Sequence, residues 1–179
     1  MRCPSCKTST LKPKKLEYAL PAMACSKCGG CKIDLLSYRL WRETKKSANK
    51  ALQKPVKDVI DTKHAMLCPK CNSIMMKYRM DENIDNKIDL CGQCGEVWLD
   101  GGEWRLLETL NLSTLLPEIL SSPWQKAIKK KEIANGIEQN YISELGNADV
   151  EKVKEIRSWL AEHSKSDLIK TLLFRDDEF

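Results

Sequence analysis

Four cysteine pairs of the form C-x2-C, arranged as one unit repeated, constrain this chain more than any other feature. They are Cys3/Cys6, Cys25/Cys28, Cys68/Cys71 and Cys91/Cys94. The leading pairs read CPSC and CPKC and the trailing pairs CSKC and CGQC, with glycine next at Gly29 and Gly95. Between leading and trailing pair lie 18 residues in the first unit and 19 in the second. The same unit thus occurs twice, and a duplication of this kind organises the architecture around it.

That spacing is a metal pattern. A CxxC turn brings two sulfurs close enough to share one ion at about 2.3 Å, and two such turns complete a tetrahedron. Four thiolates close the coordination sphere, so the ion is structural rather than catalytic. A glycine after the second cysteine suits a tight, left-handed backbone. The expected ligand sets are Cys3, Cys6, Cys25 and Cys28, then Cys68, Cys71, Cys91 and Cys94, holding two structural Zn2+ ions. Between the pairs, MKYRMDENIDNKIDL reads as two strands around a polar turn over 81–86, and LKPKKLEYALPAMA as strand, bend, strand. A redox CxxC belongs in a βαβ setting, which four duplicated pairs do not fit. Cys31 offers Cys28 a competing partner. Aligned on the second unit it falls opposite Val97, which reads as a spare thiol, the alternative being a substitute ligand or redox sensor. His64 and His163 lack ligand spacing.

Composition adds exclusions. No run of about 18 apolar residues exists to span a membrane, and MRCPSCKTST carries no apolar leader. The expected location is a reducing cytoplasm, where cysteines serve as ligands rather than disulfides. The net charge of +5 is uneven: residues 1–64 hold 15 Lys/Arg against 5 Asp/Glu, residues 65–110 hold 5 against 8, and residues 111–179 hold 10 against 12. Each tetrathiolate zinc subtracts about two charges relative to four thiols, so the loaded protein is close to neutral.

CPKC followed by IDLCGQCGEVWLDGGEW resembles the TFIIB-type zinc-ribbon family of small bacterial proteins, whose members run CPxC, a hairpin, then CxxCGGxWLDxGEL. The likeness covers Cys68 to about Leu110. Glu96 stands where a second glycine is usual, and Trp104 where leucine is. The first unit, LPAMACSKCGG followed by YRLW, resembles the diverged N-terminal ribbon of two-ribbon members, with Lys32 in place of tryptophan and Cys31 added. The family is commonly labelled nucleic-acid-binding, so the resemblance implies two ribbons and, by analogy, a nucleic-acid partner.

The segments around the cysteines complete the reading. Asp100 followed by Glu103 reads as a capping box. Trp98 and Trp104 read as packing over the ribbon, with base stacking as the alternative. Residues 35–54 read as a helix ended by Pro55, with Arg39, Arg42, Lys45, Lys46, Lys50 and Lys54 on its polar face. Together with Lys12, Lys14 and Lys15 these are the candidate phosphate contacts. Ser122-Pro123 reads as a helix start, with Ser122 as the N-cap and Pro123 at the first helical position, and two further helices follow over 148–163 and 167–174. The expectation is an α+β protein: ribbon 1 over 1–34, a basic helix and linker over 35–66, ribbon 2 with a short helix over 67–110, and a helical region over 111–179. No nucleophile, base or open metal position stands out. The expected function is therefore non-enzymatic, without a small-molecule substrate: non-specific association with nucleic acid through phosphates, or, alternatively, docking as an adaptor on a protein complex.

Overall fold

A computed structural model describes residues 1–44, 59 and 61–175. Lys45, Lys46, Lys50 and Lys54 lie outside the described residues. The chain forms two units, Met1–Lys130 and Lys131–Phe179.

The first unit is built on a six-stranded antiparallel sheet. Its strands are β1 (Leu11–Lys15), β2 (Pro21–Cys25), β3 (Cys31–Asp34), β4 (Met76–Asp81), β5 (Ile84–Leu90) and β6 (Glu96–Leu99), in the order β1-β2-β3-β6-β5-β4. The two expected hairpins are present, with Leu11 opposite Cys25 and Met76 opposite Leu90. Each unit of the repeat also supplies a third strand, CKID or EVWL. These two strands pair with each other: Cys31 with Leu99, Lys32 with Trp98, Ile33 with Val97, and Asp34 with Glu96. Lys32 and Trp98 are equivalent positions of the repeat and face one another directly. An approximate two-fold axis therefore runs through that pair, and the two ribbons are halves of one sheet.

Strands β3 and β6 are almost wholly buried. Each is only four residues long and runs straight from the CxxC turn into the next helix or cap, which is why the sequence pattern suggested only hairpins. On one face, Cys31, Ile33, Val97 and Leu99 meet residues of three helices, α1 (Leu35–Thr44), α2 (Glu103–Thr109) and α3 (Leu116–Ile119). Tyr38, Trp41, Trp104, Leu107, Leu116 and Ile119 close this core, each large apolar side chain contributing about 1.5–3 kcal/mol by leaving water. Tyr38 fixes α1 to the chain before α3: its hydroxyl donates to the Ser113 carbonyl at 2.9 Å and accepts from the Leu116 N–H at 3.2 Å. The opposite face carries Trp98 and the clustered cysteines.

Both sheet edges are guarded against further pairing. Pro13 interrupts β1 with a residue that has no N–H. At β4, the Gln125 amide stands in for a neighbouring strand. It accepts from the Arg79 N–H at 3.1 Å and donates to the Arg79 carbonyl at 2.9 Å.

Helix α4 (Ser122–Leu145) begins in the first unit, and the second unit contains its later part with α5 (Asn147–Glu162) and α6 (Ser166–Leu173). The Ser121 hydroxyl, not Ser122, receives the Trp124 N–H at 3.4 Å, so the cap lies one residue earlier than the sequence suggested. Gly146, at φ +83°, separates α4 from α5. In the second unit Val150 is buried, while Ile137, Tyr141, Val153, Ile156, Trp159 and Leu172 are about half exposed or more.

Candidate metal centres

Each CxxC turn is closed by an N–H bonding back to the first cysteine's carbonyl: Lys7 to Cys3, Gly29 to Cys25, Asn72 to Cys68, and Gly95 to Cys91, at 2.9–3.0 Å. All four residues have positive φ, between 55° and 75°. Gly29 and Gly95 were legible as such positions. Lys7 and Asn72 were not, because a side chain there tolerates the left-handed conformation at a cost of about 1–2 kcal/mol.

The eight predicted ligands converge as two groups, Cys3/Cys6/Cys25/Cys28 and Cys68/Cys71/Cys91/Cys94, with the sulfurs of each group within 4.8 Å of one another. The closest separations are 3.5 Å for Cys3–Cys28, 3.6 Å for Cys6–Cys25, 3.5 Å for Cys68–Cys94 and 3.4 Å for Cys71–Cys91. A tetrahedron with bonds of about 2.3 Å has edges of about 3.8 Å, so both groups suit one small, tetrahedral, thiophilic ion. A disulfide needs about 2.05 Å between sulfurs, and all nine cysteines are free. Cys31 belongs to neither group. It is buried in the helix-covered core, where burial pushes its thiol up to about 12.

Around the axis, the two ribbons make the same contact in two chemistries. The Trp98 indole lies against Gly30: a Cβ at Gly30 would come within 2.5 Å of its ring. Its Nε1–H is shared between Asp100 at 2.9 Å and Ser5 of the CPSC turn at 3.1 Å. At the symmetry-related place, Lys32 takes the position of Trp98 and Glu96 that of Gly30. Their charged groups are 2.8 Å apart, an ion pair whose direction falls short of a hydrogen bond. Lys70 of the CPKC turn, the counterpart of Ser5, reaches Glu96 at 3.1 Å. Lys32 and Glu96, each unlike its counterpart in the other half of the repeat, therefore compensate one another. A buried aromatic-on-glycine contact on one side is a buried ion pair on the other.

The capping box is likewise divided. In ribbon 1, Asp34 accepts from the Ser37 N–H at 2.8 Å, starting α1. In ribbon 2, Glu103 accepts from the Asp100 N–H at 2.7 Å, as expected. The Asp100 carboxylate does not cap α2. It accepts instead from Ser5, Trp98 and the Thr62 N–H. Burial would raise the Asp100 carboxyl, but these donors outweigh it and hold it below the ordinary range. Glu103, fully buried, is pushed up to about 8 by desolvation.

Among the basic candidates, Lys12, Lys14 and Lys15 are exposed on the edge strand and Arg39 on α1. Arg42 is engaged by both carboxylate oxygens of Glu118, at 2.8 and 3.0 Å. Trp41, Trp98 and Trp104 are buried, so the ribbons' tryptophans pack and present no stacking platform. Comparison with known protein families, curated proteins and solved structures found no match. No helix among the described residues is long and apolar enough to cross a membrane.

Proposed function

We propose that both centres hold zinc and that the protein is a non-enzymatic adaptor, a two-ribbon relative of the TFIIB-type zinc ribbons, docking on a larger protein assembly. The observation that carries the adaptor reading is the second unit. Its helices leave Ile137, Tyr141, Val153, Ile156 and Trp159 half exposed, with Leu168 and Phe174 more so. Apolar side chains left exposed on successive helices support an interaction surface. Closed tetrathiolate coordination leaves no position for a substrate, which supports a role in binding rather than turnover. Eight thiolates must also stay reduced, which favours a cytoplasmic setting.

A second reading, association with nucleic acid, is favoured by the exposed row Lys12, Lys14 and Lys15. It would be non-specific and salt-sensitive, through phosphates alone. Affinity capture with the zinc-loaded chain separates the two. The adaptor reading expects a stoichiometric protein that survives nuclease and is lost when Ile156 and Trp159 are replaced by Asp. Capture that disappears with nuclease, alongside micromolar oligonucleotide binding that falls with salt, would replace it.

A further inference from the structure

A groove of about 480 Å3 opens on ribbon 1, where Pro13, Pro21 and Met23 adjoin Asp34 and Ser37, with Lys14 and Lys15 lining it. The two-fold axis relates this place to one on ribbon 2, mapping Asp34 to Asp100, Pro21 to Lys87 and Met23 to Asp89. On ribbon 2 the place is filled by the chain itself. The Thr62 N–H donates to Asp100 Oδ2 at 2.7 Å, and the Asp61 carboxylate accepts from the Lys87 N–H at 3.3 Å. Asp61 and Thr62 thus lie against β5 just beyond the end of β6, held by one backbone N–H on Asp100 and one carboxylate on Lys87.

We infer that the ribbon 1 groove binds an extended acidic peptide of a protein partner, laid beside β2 as Asp61–Thr62 is laid beside β5. This deepens the adaptor reading and rests on it. The anchor for a peptide N–H is retained, since Asp34 stands where Asp100 does. Asp34 accepts from the Ser37 N–H and hydroxyl through Oδ1. The second anchor has changed chemistry. Pro21 has no N–H to offer a carboxylate, and the exposed ammonium groups of Lys14 and Lys15 take that role. The pair Lys77–Asp89 of ribbon 2, 3.0 Å apart, is replaced by Pro13 and Met23. The ribbon 1 groove is accordingly more apolar and buries an aliphatic side chain next to the acidic one.

The probe is a synthetic peptide with the chain's own sequence over 58–63, DVIDTK, titrated into the zinc-loaded full chain and followed by 15N NMR. Shifts confined to Lys14, Lys15, Ala22, Met23 and Asp34 are expected. The variant Lys14→Glu/Lys15→Glu, altered only at exposed residues remote from the ligands, keeps two zincs and its melting temperature but loses about tenfold or more in affinity. No shifts, or shifts that ignore the charge reversal, overturn the proposal. A ten-nucleotide oligothymidine that binds the same residues more tightly overturns it in favour of phosphate. If the captured protein partner is retained equally by wild type and by the charge-reversed variant, the groove proposal fails while the adaptor reading stands.

Discussion

The exchange of contacts across the axis makes a sharp prediction about Lys32 and Glu96. Both are buried, at 8% and 1% exposure, with Lys32 2.8 Å from Glu96. Removing one member of a buried pair costs about 3–5 kcal/mol, because the other charge is left uncompensated. Glu96→Gly alone should fall in that range. Lys32→Trp alone forces an indole onto the Glu96 side chain, an overpacking cost of about 1–3 kcal/mol, and leaves Glu96 only Lys70, which is half exposed. The double variant Lys32→Trp/Glu96→Gly is different. It rebuilds on the second side the contact that Trp98 makes with Gly30, and replacing a buried ion pair by well-packed apolar groups is often neutral. The two singles should therefore sum to more than about 4–8 kcal/mol, since Lys32→Trp also strips Glu96 of its buried partner, while the double stays within about 2 kcal/mol of wild type. Calorimetric melting of the zinc-loaded chain reads this out, each single lowering the melting temperature of the sheet and the double recovering most of it. Additive losses would show that the two contacts are independent and that the approximate symmetry carries no energetic meaning.

Three other outcomes are expected. Cys91→Ser should lower bound zinc from two equivalents to one by metal analysis, and should also destabilise ribbon 1, since Cys91, Cys3, Cys25 and Trp98 share one buried cluster. Two zincs with unchanged melting would refute the ligand assignment. Glu103, raised by burial to about 8, and Asp89, raised by burial to about 6, hold protons in the folded chain that the unfolded chain has released. Their contribution is present at the acid side and is lost as pH rises through about 4–8. Glu103→Gln should flatten the fall in melting temperature between pH 6 and pH 8; an unchanged slope refutes it. Gln125→Ala leaves the Arg79 N–H and carbonyl without their strand mimic, with a loss of about 1–3 kcal/mol and self-association through β4 visible by light scattering. A variant that melts as wild type and stays monodisperse would show that Gln125 does not guard the edge.

The metal centres were legible because their chemistry is local: a CxxC turn announces itself within four residues. The hairpins were legible for the same reason, since the polar turn between β4 and β5 breaks a clear pattern. What escaped was everything set by distant partners. The strands CKID and EVWL are four residues each, too short to show a period, and only their pairing with one another makes them strands. Asp100 reads as a helix cap, yet its side chain serves Ser5, which lies 95 residues away in sequence. Gln125 carries no local sign that its amide completes a strand edge. Lys32 and Glu96 each looked like an unexplained departure from a motif, and they make sense only as a pair.

The register at the axis also dictates an order of events as the chain folds. Within each ribbon the hairpin partners are separated by 14 residues, whereas Lys32 and Trp98 are separated by 66. Local closures form on microsecond timescales, and contacts of high sequence separation come later because their loop entropy is lost before they are rewarded. Each ribbon's hairpin and cysteines should therefore gather first, with the joining of β3 to β6 as the late step that commits the sheet. Substitutions at the axis should accelerate unfolding and leave the folding rate nearly untouched.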